Sequence, residues 1–526
     1  MEKKIEVYGC GKFGIVKDIP PHYLPPEAWS DGNNMRFQDN VAVKIKGHED
    51  VFGTPSITPG FLIPVPSATT TYWIYASLTK AYVYESGVHT NITRQSAGVD
   101  VNYTGLNYRE WNGGILGGIP ILNNGTDIPQ YWPNINVATK LANLSNWPST
   151  LRAKIVRPYG PFLVALNIND NSTLYPHMFW WSHPADPGTI PASWDYTDGA
   201  YDAGRKELTD TEGGPIIEAL MLKNLLIVYK ESSIHYIRFI GGQEIMGNEL
   251  LFPGTGIIAP RCVTLINKGQ QHFVVTADDV LVHDTQKIES ILDSRARKFL
   301  RNDIDNTNFR NSFAVHNSAQ REAWFCYPSV GAEYPNKVLI WNYQEKTLQF
   351  RDFIGVFAAS GNVDETTAIA WSAATNPWAS LTTQWSEEGR KQLAIADPIN
   401  TLIYKADSSD LFHTTAINSF LERTGLAVYS KDRDGSPKAD YTARKLAKRI
   451  WPKITGTAPV TIRVGAQEDY DDTVVWSASQ VFIPGTDKFL DVTANGRLLA
   501  VRFESSAEAS WQLEGYDLEV SILGEH

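Results

Sequence analysis

A short pair of strands that recurs along the chain constrains the fold more than any other feature. Each copy has an apolar strand, a turn containing Gly, Asn or Asp, and a second strand that ends in an aromatic residue and a charged turn. Because two strands cannot bury a face alone, such units must stack around an axis or pair as sheets. Their irregular spacing, about 40 to 60 residues, favours propeller blades with insertions over a strict solenoid. The copies lie at residues 72–87, 113–132, 153–168, 219–242, 269–290, 322–350 and 391–407.

Changes in composition and in the pattern of apolar residues divide the chain into four parts. Residues 1–60 are rich in Pro and Gly, which predicts an N-terminal extended arm with short strands. Residues 61–425 hold the repeated strand pairs, and we expect a β-propeller of six blades there. A hydrophilic linker spans 426–444, and renewed strand patterns over 445–526 predict a C-terminal β-sandwich. The sequence therefore predicts an all-β protein.

The composition agrees with short strands rather than long helices. The 526 residues include 16 Trp, 23 Tyr and 21 Phe, together with 39 Gly and 29 Pro, and aromatic residues with frequent turn formers are typical of strands. One helix is expected, over residues 288–304, where the apolar side chains recur on one face. That face comprises Ile291, Leu292, Ala296, Phe299, Leu300 and Ile304.

The stretch YGCGKFG places Gly9, Gly11 and Gly14 in a dinucleotide-binding pattern directly after a strand-like run. The pattern binds a pyrophosphate only where the glycines lead into a helix. Here two Pro-Pro pairs follow, at 20–21 and 25–26. Proline removes backbone donors and disfavours helical geometry in the preceding residue. We therefore expect a loop at residues 9–14 and no nucleotide cofactor.

Charge and cysteine content limit the classes of protein further. The formal net charge of -11 argues against a broad basic surface that grips nucleic acid. It is compatible with DNA that passes by without being held. Cys10, Cys262 and Cys326 are too few and too far apart for a disulfide framework or a zinc cluster, and they suit a reducing site of synthesis. With no apolar signal core and no apolar run of membrane-spanning length, we expect cytoplasmic synthesis and no membrane span.

The sequence offers no motif for nucleophilic, zinc or phosphate-loop chemistry. It contains no G-x-S-x-G, no H-E-x-x-H and no G-x-x-x-x-G-K-[ST], which are the patterns that position a serine nucleophile, a zinc ion and a nucleotide phosphate. His177 and His183 flank MFWWS at a spacing of six, which does not place them on one helix face. We interpret both as structural or surface histidines and expect no metal.

Two groups of carboxylates are candidates for the catalytic pair of a glycosidase. A glycosidase needs two carboxyl groups that face each other across a sugar, which proximity in sequence does not show. We interpret Asp278 and Asp279 as a turn between two strands, and residues 468–472 as a solvated loop. No catalytic residue is assigned, and we expect no enzyme activity. The candidates are Asp278, Asp279 and Asp284 in one group and Glu468, Asp469, Asp471 and Asp472 in the other.

Aromatic and basic clusters each allow two interpretations. The aromatic residues could form a sugar-stacking surface, but core packing between blades is preferred because large aromatic side chains dominate burial in β folds. They are Phe179, Trp180, Trp181, Trp371, Trp378 and Trp385. The basic stretch could contact phosphate or pair with an acidic subunit surface, and both alternatives stay open. It comprises Arg444, Lys445, Lys448, Arg449 and Lys453.

An ordered set of segments resembles the tail hub, or nozzle, proteins of short-tailed bacteriophages. The first is GIVKDIPPHYLPPEAWSDGNNMRFQDNVAVKIKGHE, and the second is WNGGILGGIPILNNGTDIPQYW. LKNLLIVYKESSIHYIRFIGG resembles a blade strand pair of that family, and PGTGIIAPRCVTLINKGQQHFVVTADDVLVHDTQKIESI resembles the segment that follows it. The last segments are GRLLAVRFES and SWQLEGYDLEV. No single motif is decisive, but the ordered set spans nearly the whole chain.

This resemblance implies a structural protein of the virion tail, made in the cytoplasm of the host bacterium. Six copies would form the lower tail tube, which retains packaged DNA and provides the ejection channel without recognising its sequence. The resemblance also implies contacts with the head-tail adaptor and with spikes, fibres or a needle, and it implies no catalytic residues and no cofactor. An acidic channel wall would repel the DNA phosphates.

Two alternative functions stay open at this point. One is a carbohydrate-binding or glycosidase-type β-propeller, which would require aromatic and carboxylate side chains that converge in a cleft. The other is a host-recognition tail spike. The copy number separates them, because we expect six for a hub, three for a spike, and one or two for most glycosidases.

Overall fold

The computed structural model describes residues 2–67, 71–210, 212–363, 391–431 and 437–524. These residues are nearly all β, in many small antiparallel sheets, with one short α-helix. None of the helices in these ranges is long and apolar enough to cross a bilayer. Short 3-10 helices lie at Pro21–Tyr23, Tyr108–Glu110, Pro133–Ile135, Asn267–Gly269 and Phe309–Asn311.

The N-terminal residues form five short strands. The hairpin between the third and fourth turns at Asp39 and Asn40, both with positive φ (51° and 62°). Asn and Asp tolerate that conformation, and it matches the twist of a tight hairpin. The strands are β1 (Glu2–Tyr8), β2 (Asp31–Asn33), β3 (Met35–Gln38), β4 (Val41–Lys44) and β5 (His48–Asp50).

The middle of the chain forms small antiparallel sheets in sequence order, each a meander of consecutive strands. The first comprises β6 (Phe61–Pro66), β7 (Thr71–Ala76), β8 (Ala81–Glu85) and β9 (Val88–Asn91), followed by a separate hairpin of β10 (Gln95–Ser96) and β11 (Val99–Asp100). The second comprises β12 (Asn112–Leu116), β13 (Ile119–Asn123), β14 (Gln130–Tyr131) and β15 (Ala142–Asn143). The third comprises β16 (Leu151–Tyr159), β17 (Phe162–Asp170), β18 (Thr173–Trp181) and β19 (Gly204–Glu207).

The fourth to seventh sheets continue this order. The fourth comprises β20 (Ile216–Leu222), β21 (Leu225–Lys230), β22 (Ser233–Phe239) and β23 (Met246–Pro253). The fifth comprises β24 (Val263–Ile266), β25 (Gln271–Val275), β26 (Val280–His283) and β27 (Ile288–Ser290). The sixth comprises β28 (Phe313–Asn317), β29 (Glu322–Tyr327), β30 (Lys337–Asn342) and β31 (Thr347–Asp352). The seventh comprises β32 (Phe357–Gly361), β33 (Gln392–Asp397), β34 (Leu402–Ala406), β35 (Leu411–Phe412) and β36 (Thr415–Ala416), together with β5.

These sheets form a closed, propeller-like ring. The first strand of each sheet contacts the first strand of the next from β12 through to β32, and β32 contacts β6. Between the first two sheets, the rings of Phe61 and Trp111 stack with centroids 6.2 Å apart. The expected number of six blades is not confirmed, because the described residues hold seven sheets in this ring.

The seventh sheet is completed by the N-terminal strand β5. Glu49 pairs with Lys405 in β34, and the Val51 amide donates to the Ile403 carbonyl (2.9 Å). The strand comes from a segment that precedes the whole ring in sequence. It covers an edge of β34 that would otherwise present unpaired backbone groups.

The C-terminal part supplies the remaining strands, which are arranged in two larger sheets and a hairpin. One sheet has the order β3-β4-β46-β40-β44, with β1 beside β46, and the other has the order β2-β37-β45-β41-β42, with β43 beside β41. The strands are β37 (Ser419–Leu426), β38 (Val428–Lys431), β39 (Pro437–Asp440), β40 (Arg444–Gly456), β41 (Val460–Gln467), β42 (Val475–Trp476), β43 (Gln480–Phe482), β44 (Leu490–Gly496), β45 (Leu498–Ser505) and β46 (Trp511–Gly524).

The two larger sheets share one hydrophobic core. Ile450 and Leu518 of the first sheet belong to the same buried cluster as Val464 and Val501 of the second. The N-terminal segment is part of this unit, since Trp29 is 1% exposed in the same cluster. Residues 2–44 therefore pack on sheets of their own chain instead of extending away from it, while the four-part division stays a prediction.

A buried ionic network joins the N-terminal strands to the ring. Arg36 in β3 donates to Glu322 in β29 (Nε to Oε1, 2.7 Å) and to Asp407 after β34 (Nη2 to Oδ2, 2.9 Å). Arg351 in β31 donates to Asp407 as well (Nη1 to Oδ1, 3.2 Å). Burial opposes the charged carboxylate, but the two guanidinium groups outweigh burial and lower the pKa of Asp407 below its usual value.

The expected helix over 288–304 is only partly correct. The structure has α1 at Arg297–Asp303, whereas residues 288–290 form β27 and pair with β26. The recurring apolar residues mark burial and not helix alone. Leu292 and Leu300 are both buried, although only Leu300 lies in the helix. The start of α1 is held by Asp18, whose carboxylate accepts the amides of Lys298 (2.6 Å) and Phe299 (2.9 Å).

Candidate functional site

A cavity at the centre of the ring is the main concave feature of the described residues. Its volume is 1210 Å³, and each of the seven first strands contributes to its wall. Because residues alternate sides along a strand, each of these strands presents only a few side chains to the cavity. The polar lining residues on the first strands include Asn112, Arg157, Glu218 and His316, and adjoining loops and turns contribute Arg261, Lys268, Arg321 and Lys391.

A second cavity of 440 Å³ adjoins the first. Asn112, Glu218 and Arg261 line both cavities. These three side chains therefore lie between the two cavities.

The wall of the larger cavity carries positive charge although the whole chain is acidic. Its described lining residues include five cationic side chains and a single carboxylate, that of Glu218. The net charge of the chain is -11, so the acidic residues lie elsewhere. The cations are Arg157, Arg261, Lys268, Arg321 and Lys391. A cavity with this charge attracts anionic groups.

Both carboxylate oxygens of Glu218 accept hydrogen bonds. Its Oε1 accepts from Arg157 Nη2 (2.8 Å) and Nε (3.1 Å) and from the Ala219 amide (2.9 Å). Its Oε2 accepts from the Arg261 amide (3.0 Å). Arg157 in turn donates to the Gly113 carbonyl (2.7 Å). The pair links β12, β16 and β20 to Arg261 in the loop before β24.

The cavity wall carries one carboxylate and one histidine among its described lining residues. With Glu218 as the one carboxylate among the described lining residues, the wall has no facing pair of the kind that glycosidases use. His316 donates to or accepts from the Tyr343 hydroxyl (3.2 Å), and burial followed by the charge of Lys391 lowers the pKa of His316 to about 4. The imidazole of His316 is therefore neutral at pH 7.

The glycine-rich segment at residues 9–14 is a turn, as the proline pairs predicted. Gly9 and Gly14 have φ of 71° and 72°, and the Gly11 amide donates to the Asn40 carbonyl (2.9 Å). A Cβ on Gly11 would lie 2.4 Å from the backbone N and O of Val41. Close backbone packing therefore explains this glycine.

The candidate histidines and carboxylates lie in separate turns and strands. His177 lies in β18, and His183 accepts the Asp202 amide (3.1 Å). Asp278 and Asp279 form the turn between β25 and β26, as expected, with their amides bonded to Thr276 Oγ1. The described residues contain no group of three or more His, Cys, Asp or Glu that could hold a metal ion.

The other acidic residues also support local structure. Asp279 pairs with Arg297 of α1 (2.6 Å), and Asp284 accepts the amides of Gln286 and Lys287 (both 2.9 Å) in the next turn. The segment 468–472 is an exposed loop, in which Asp472 accepts the Asp469 amide (2.9 Å). Glu468 and Asp471 are exposed in the same loop.

The described aromatic run packs between sheets. Trp180 donates to the Trp194 carbonyl (2.9 Å) in the cluster between the second and third sheets. Phe179 and Trp181 lie in the cluster between the third and fourth, as core packing predicted. Trp371, Trp378 and Trp385 lie outside the described residues.

The basic stretch on β40 makes its described contacts within its own chain. Arg444 pairs with Glu468, Arg449 with Asp491 (2.7 Å) and Lys453 with Asp517 (3.1 Å). Lys445 is buried and donates to three backbone carbonyls, and burial lowers its pKa to about 8. Lys448 lies on the same strand. Neither phosphate nor an acidic partner is needed to explain the four residues with described contacts.

Sequence reasoning missed the residues at the centre of the ring. Glu218 interrupts the apolar run IIEALML, and Arg157 interrupts AKIVRPY. A charged residue within an otherwise apolar strand is the available signal, since buried charges are almost always paired. The three thiols, at Cys10, Cys262 and Cys326, are all buried and unpaired with one another.

Comparison with known proteins gives structural neighbours of very low identity. No protein-family model and no curated protein sequence matches the chain. The AfRom2 CNH domain matches with a TM-score of 0.34 at 8% identity, covering 69% of this chain and 97% of that one. A Bacteroides uniformis protein named "putative 6-phosphogluconolactonase" matches with a TM-score of 0.34 at 10% identity, covering 77% of this chain and 95% of that one. Similarities of this size do not identify an activity or a ligand.

Proposed function

We propose that the chain is the structural subunit of the lower tail tube, the hub or nozzle, of a short-tailed bacteriophage. Six copies would form a ring that retains packaged DNA and gives it a path for ejection. The ring would attach to the head-tail adaptor and to spikes, fibres or a needle. The ordered resemblance of segments from residue 14 to residue 520 carries this proposal. We further propose that the subunit is a seven-bladed β-propeller joined to a β-sandwich.

The size of the central cavity supports a DNA path between subunits and not through the propeller. A duplex is roughly 20 Å wide when both grooves are spanned. A cylinder of that width would fill 1210 Å³ in about 4 Å of its length. A channel for DNA would therefore need several copies around a common axis. The net charge of -11 favours passage without binding, because acidic walls repel phosphates.

An exposed apolar stretch supports contact between copies. Within 20 residues around β42 and β43, five large apolar or aromatic side chains are exposed, between 41% for Phe489 and 75% for Val475. They are Tyr470, Val475, Val481, Ile483 and Phe489. Exposed apolar groups this concentrated are typical of interaction surfaces. We name residues 470–489 the sandwich edge.

A map of the virions of the phage whose genome encodes the chain tests the proposal directly. We expect six copies around the tail axis below the adaptor, with the DNA path on that axis. Three copies would instead identify a host-recognition spike. Absence from the virion, together with turnover of a polysaccharide by the purified chain, would identify a carbohydrate-acting propeller.

A further inference from the structure

Arg261 occupies an unusual position at the centre of the ring. Its backbone is fixed on both sides, because its amide donates to Glu218 Oε2 (3.0 Å) and its carbonyl accepts the Ala314 amide (2.8 Å). Its φ is 64°, a conformation that is uncommon for a residue with a side chain. These contacts set the direction in which the guanidinium group leaves the backbone.

Two of the three nitrogens of the Arg261 guanidinium, Nε and Nη1, are buried without a hydrogen-bonding partner among the described residues. The residue is 7% exposed. Its described side-chain contact is with the face of Phe357, 4.8 Å from the ring centroid. Glu218 is not the acceptor for the Arg261 guanidinium, since the described hydrogen bonds to its oxygens come from Arg157 and from backbone amides. Buried charged donors without acceptors are rare and costly in folded proteins.

Two further guanidinium groups, those of Arg157 and Arg109, add positive charge near Arg261, and the carboxylate of Glu218 offsets part of it. Burial is the main cause that lowers the pKa of Arg261 to about 10, and Arg157 and Arg109 lower it further against the opposing effect of Glu218. Arg109 is bound to Asn311 (2.8 Å) and lines the second cavity beside Arg261. An anion placed at this point would gain from all three guanidinium groups.

We propose that the centre of the ring is a binding site for a small oxyanion, in which Arg261 supplies the main contact. The phosphate group and the carboxylate group are the two chemistries whose oxygens match the donors of a guanidinium. The larger cavity gives access, and its other cations raise the local concentration of anions. This proposal is independent of the tail-hub function.

Thermal unfolding with added anions tests the site. The purified chain is titrated with sodium phosphate and, separately, with sodium acetate, each at constant ionic strength against sodium chloride. We expect a saturable rise in Tm with at least one of them, because a ligand that binds only the folded state stabilises it. A phosphate response identifies a tetrahedral oxyanion site, and an acetate response identifies a carboxylate site.

Two variants separate binding from structure. Arg261→Met removes an unpartnered buried charge, so we expect an unchanged or higher Tm without ligand and at least tenfold weaker anion binding. Arg321→Met, which changes an exposed cation on the same cavity wall, is expected to keep binding within about threefold, since it removes only a distant, screened charge. Arg261→Gln serves as a second substitution if the first does not fold.

Three results would overturn the proposal. The first is the absence of any saturable response to phosphate and acetate beyond that to chloride. The second is a response that persists unchanged in Arg261→Met and Arg261→Gln. The third is equal loss of binding in Arg321→Met, which would show general attraction to a basic cavity and no site at Arg261.

Discussion

Individual buried charges tie distant parts of this chain together. Arg36 lies in β3, yet it neutralises Glu322 in the sixth sheet and Asp407 beside the seventh, and Gln349 Nε2 donates to Glu322 as well (2.8 Å). Breaking a buried ion pair leaves a charge without compensation, which costs more than the pair contributes. The network therefore acts mainly by making any other placement of the N-terminal strands unfavourable.

We expect Arg36→Ala to lower the free energy of unfolding by about 3–5 kcal/mol, because Glu322 would be left buried without its cation. The matched control is Arg238→Ala, which breaks the pair with Glu249 whose side chains are 51% and 54% exposed. That pair should contribute less than about 1 kcal/mol. Denaturant unfolding measures both, and similar losses would contradict a special role for Arg36.

A buried cluster of histidines makes stability depend on pH. The Tyr229 hydroxyl bonds His272 Nδ1 and His283 Nε2 (both 2.7 Å), and burial lowers the pKa of His272 to about 3 and of His283 to about 4. Below its ordinary pKa of 6.5 each histidine takes up a proton in the unfolded chain only. Stability is therefore lost as the pH falls from about 6.5 towards about 4.

Between pH 7 and pH 5, we expect the free energy of unfolding to fall by about 2 kcal/mol for each of these two histidines. The variant His272→Gln/His283→Gln should flatten this part of the stability curve, whatever its effect at pH 7. Thr173→Ser, at an exposed position and with no change of titratable group, should leave the slope as it is. A slope that is the same in all three proteins would refute the assignment to this cluster.

At the scale of elements, local pairings were predictable and distant ones were not. The strand pairs at 72–87 and 322–350 follow from alternating apolar residues and turn formers, and they appear as β7-β8 and as β29 to β31. By contrast, nothing in HED at 48–50 indicates that β5 pairs with β34. Periodicity reports which face is buried but not by which partner. The seven strand pairs named from the sequence fall one in each of the seven sheets, although six blades were expected.

The same limit applies to the centre of the ring. Arg261 stands in a loop sequence, IIAPRCV, where an arginine is ordinarily exposed. Its burial arises only when seven first strands converge around one axis. The assignment of Asp278 and Asp279 to a turn was confirmed because a turn depends only on neighbouring residues.

The turn at Gly11 tests close packing at the scale of an element. We expect Gly11→Ala to destabilise the protein by about 1–3 kcal/mol, because overpacking against fixed backbone is costly and Val41 N and O lie 2.4 Å from the added Cβ. Gly199→Ala is the control, since its Cβ meets nothing within 4 Å, and a change within about 0.5 kcal/mol is expected. Equal effects in thermal unfolding would show that the turn tolerates a side chain.

At the scale of the whole molecule, the proposed ring of six copies places demands on the surface. The sandwich edge carries short strands, β42 and β43, that cover only parts of β41. Short edge strands leave backbone groups open to a partner. The exposed apolar side chains beside them make this the surface on which the assembly proposal is easiest to test.

We expect Val481→Glu with Ile483→Glu to leave a folded chain that enters virions at least tenfold less often, because two charges would be desolvated at the subunit contact. The control is Leu174→Glu in β18, which is also exposed (67%) but lies away from the sandwich edge. Virion content is measured by immunoblot of purified particles. Normal incorporation of the double variant would exclude the sandwich edge as the contact.

The pairing of the first strand with the last has a consequence for synthesis. Glu2 in β1 pairs with Ser521 in β46, and β5 pairs with β34, so both early strands stay unpaired until later parts of the chain have been synthesised. A ribosome adds about 5–20 residues each second, so β1 stays without its partner for about 25–100 s. Both closures come late, and a chain that stops early leaves open sheet edges at its beginning. A chain that is released before β46 has been synthesised therefore cannot form the β1–β46 pairing.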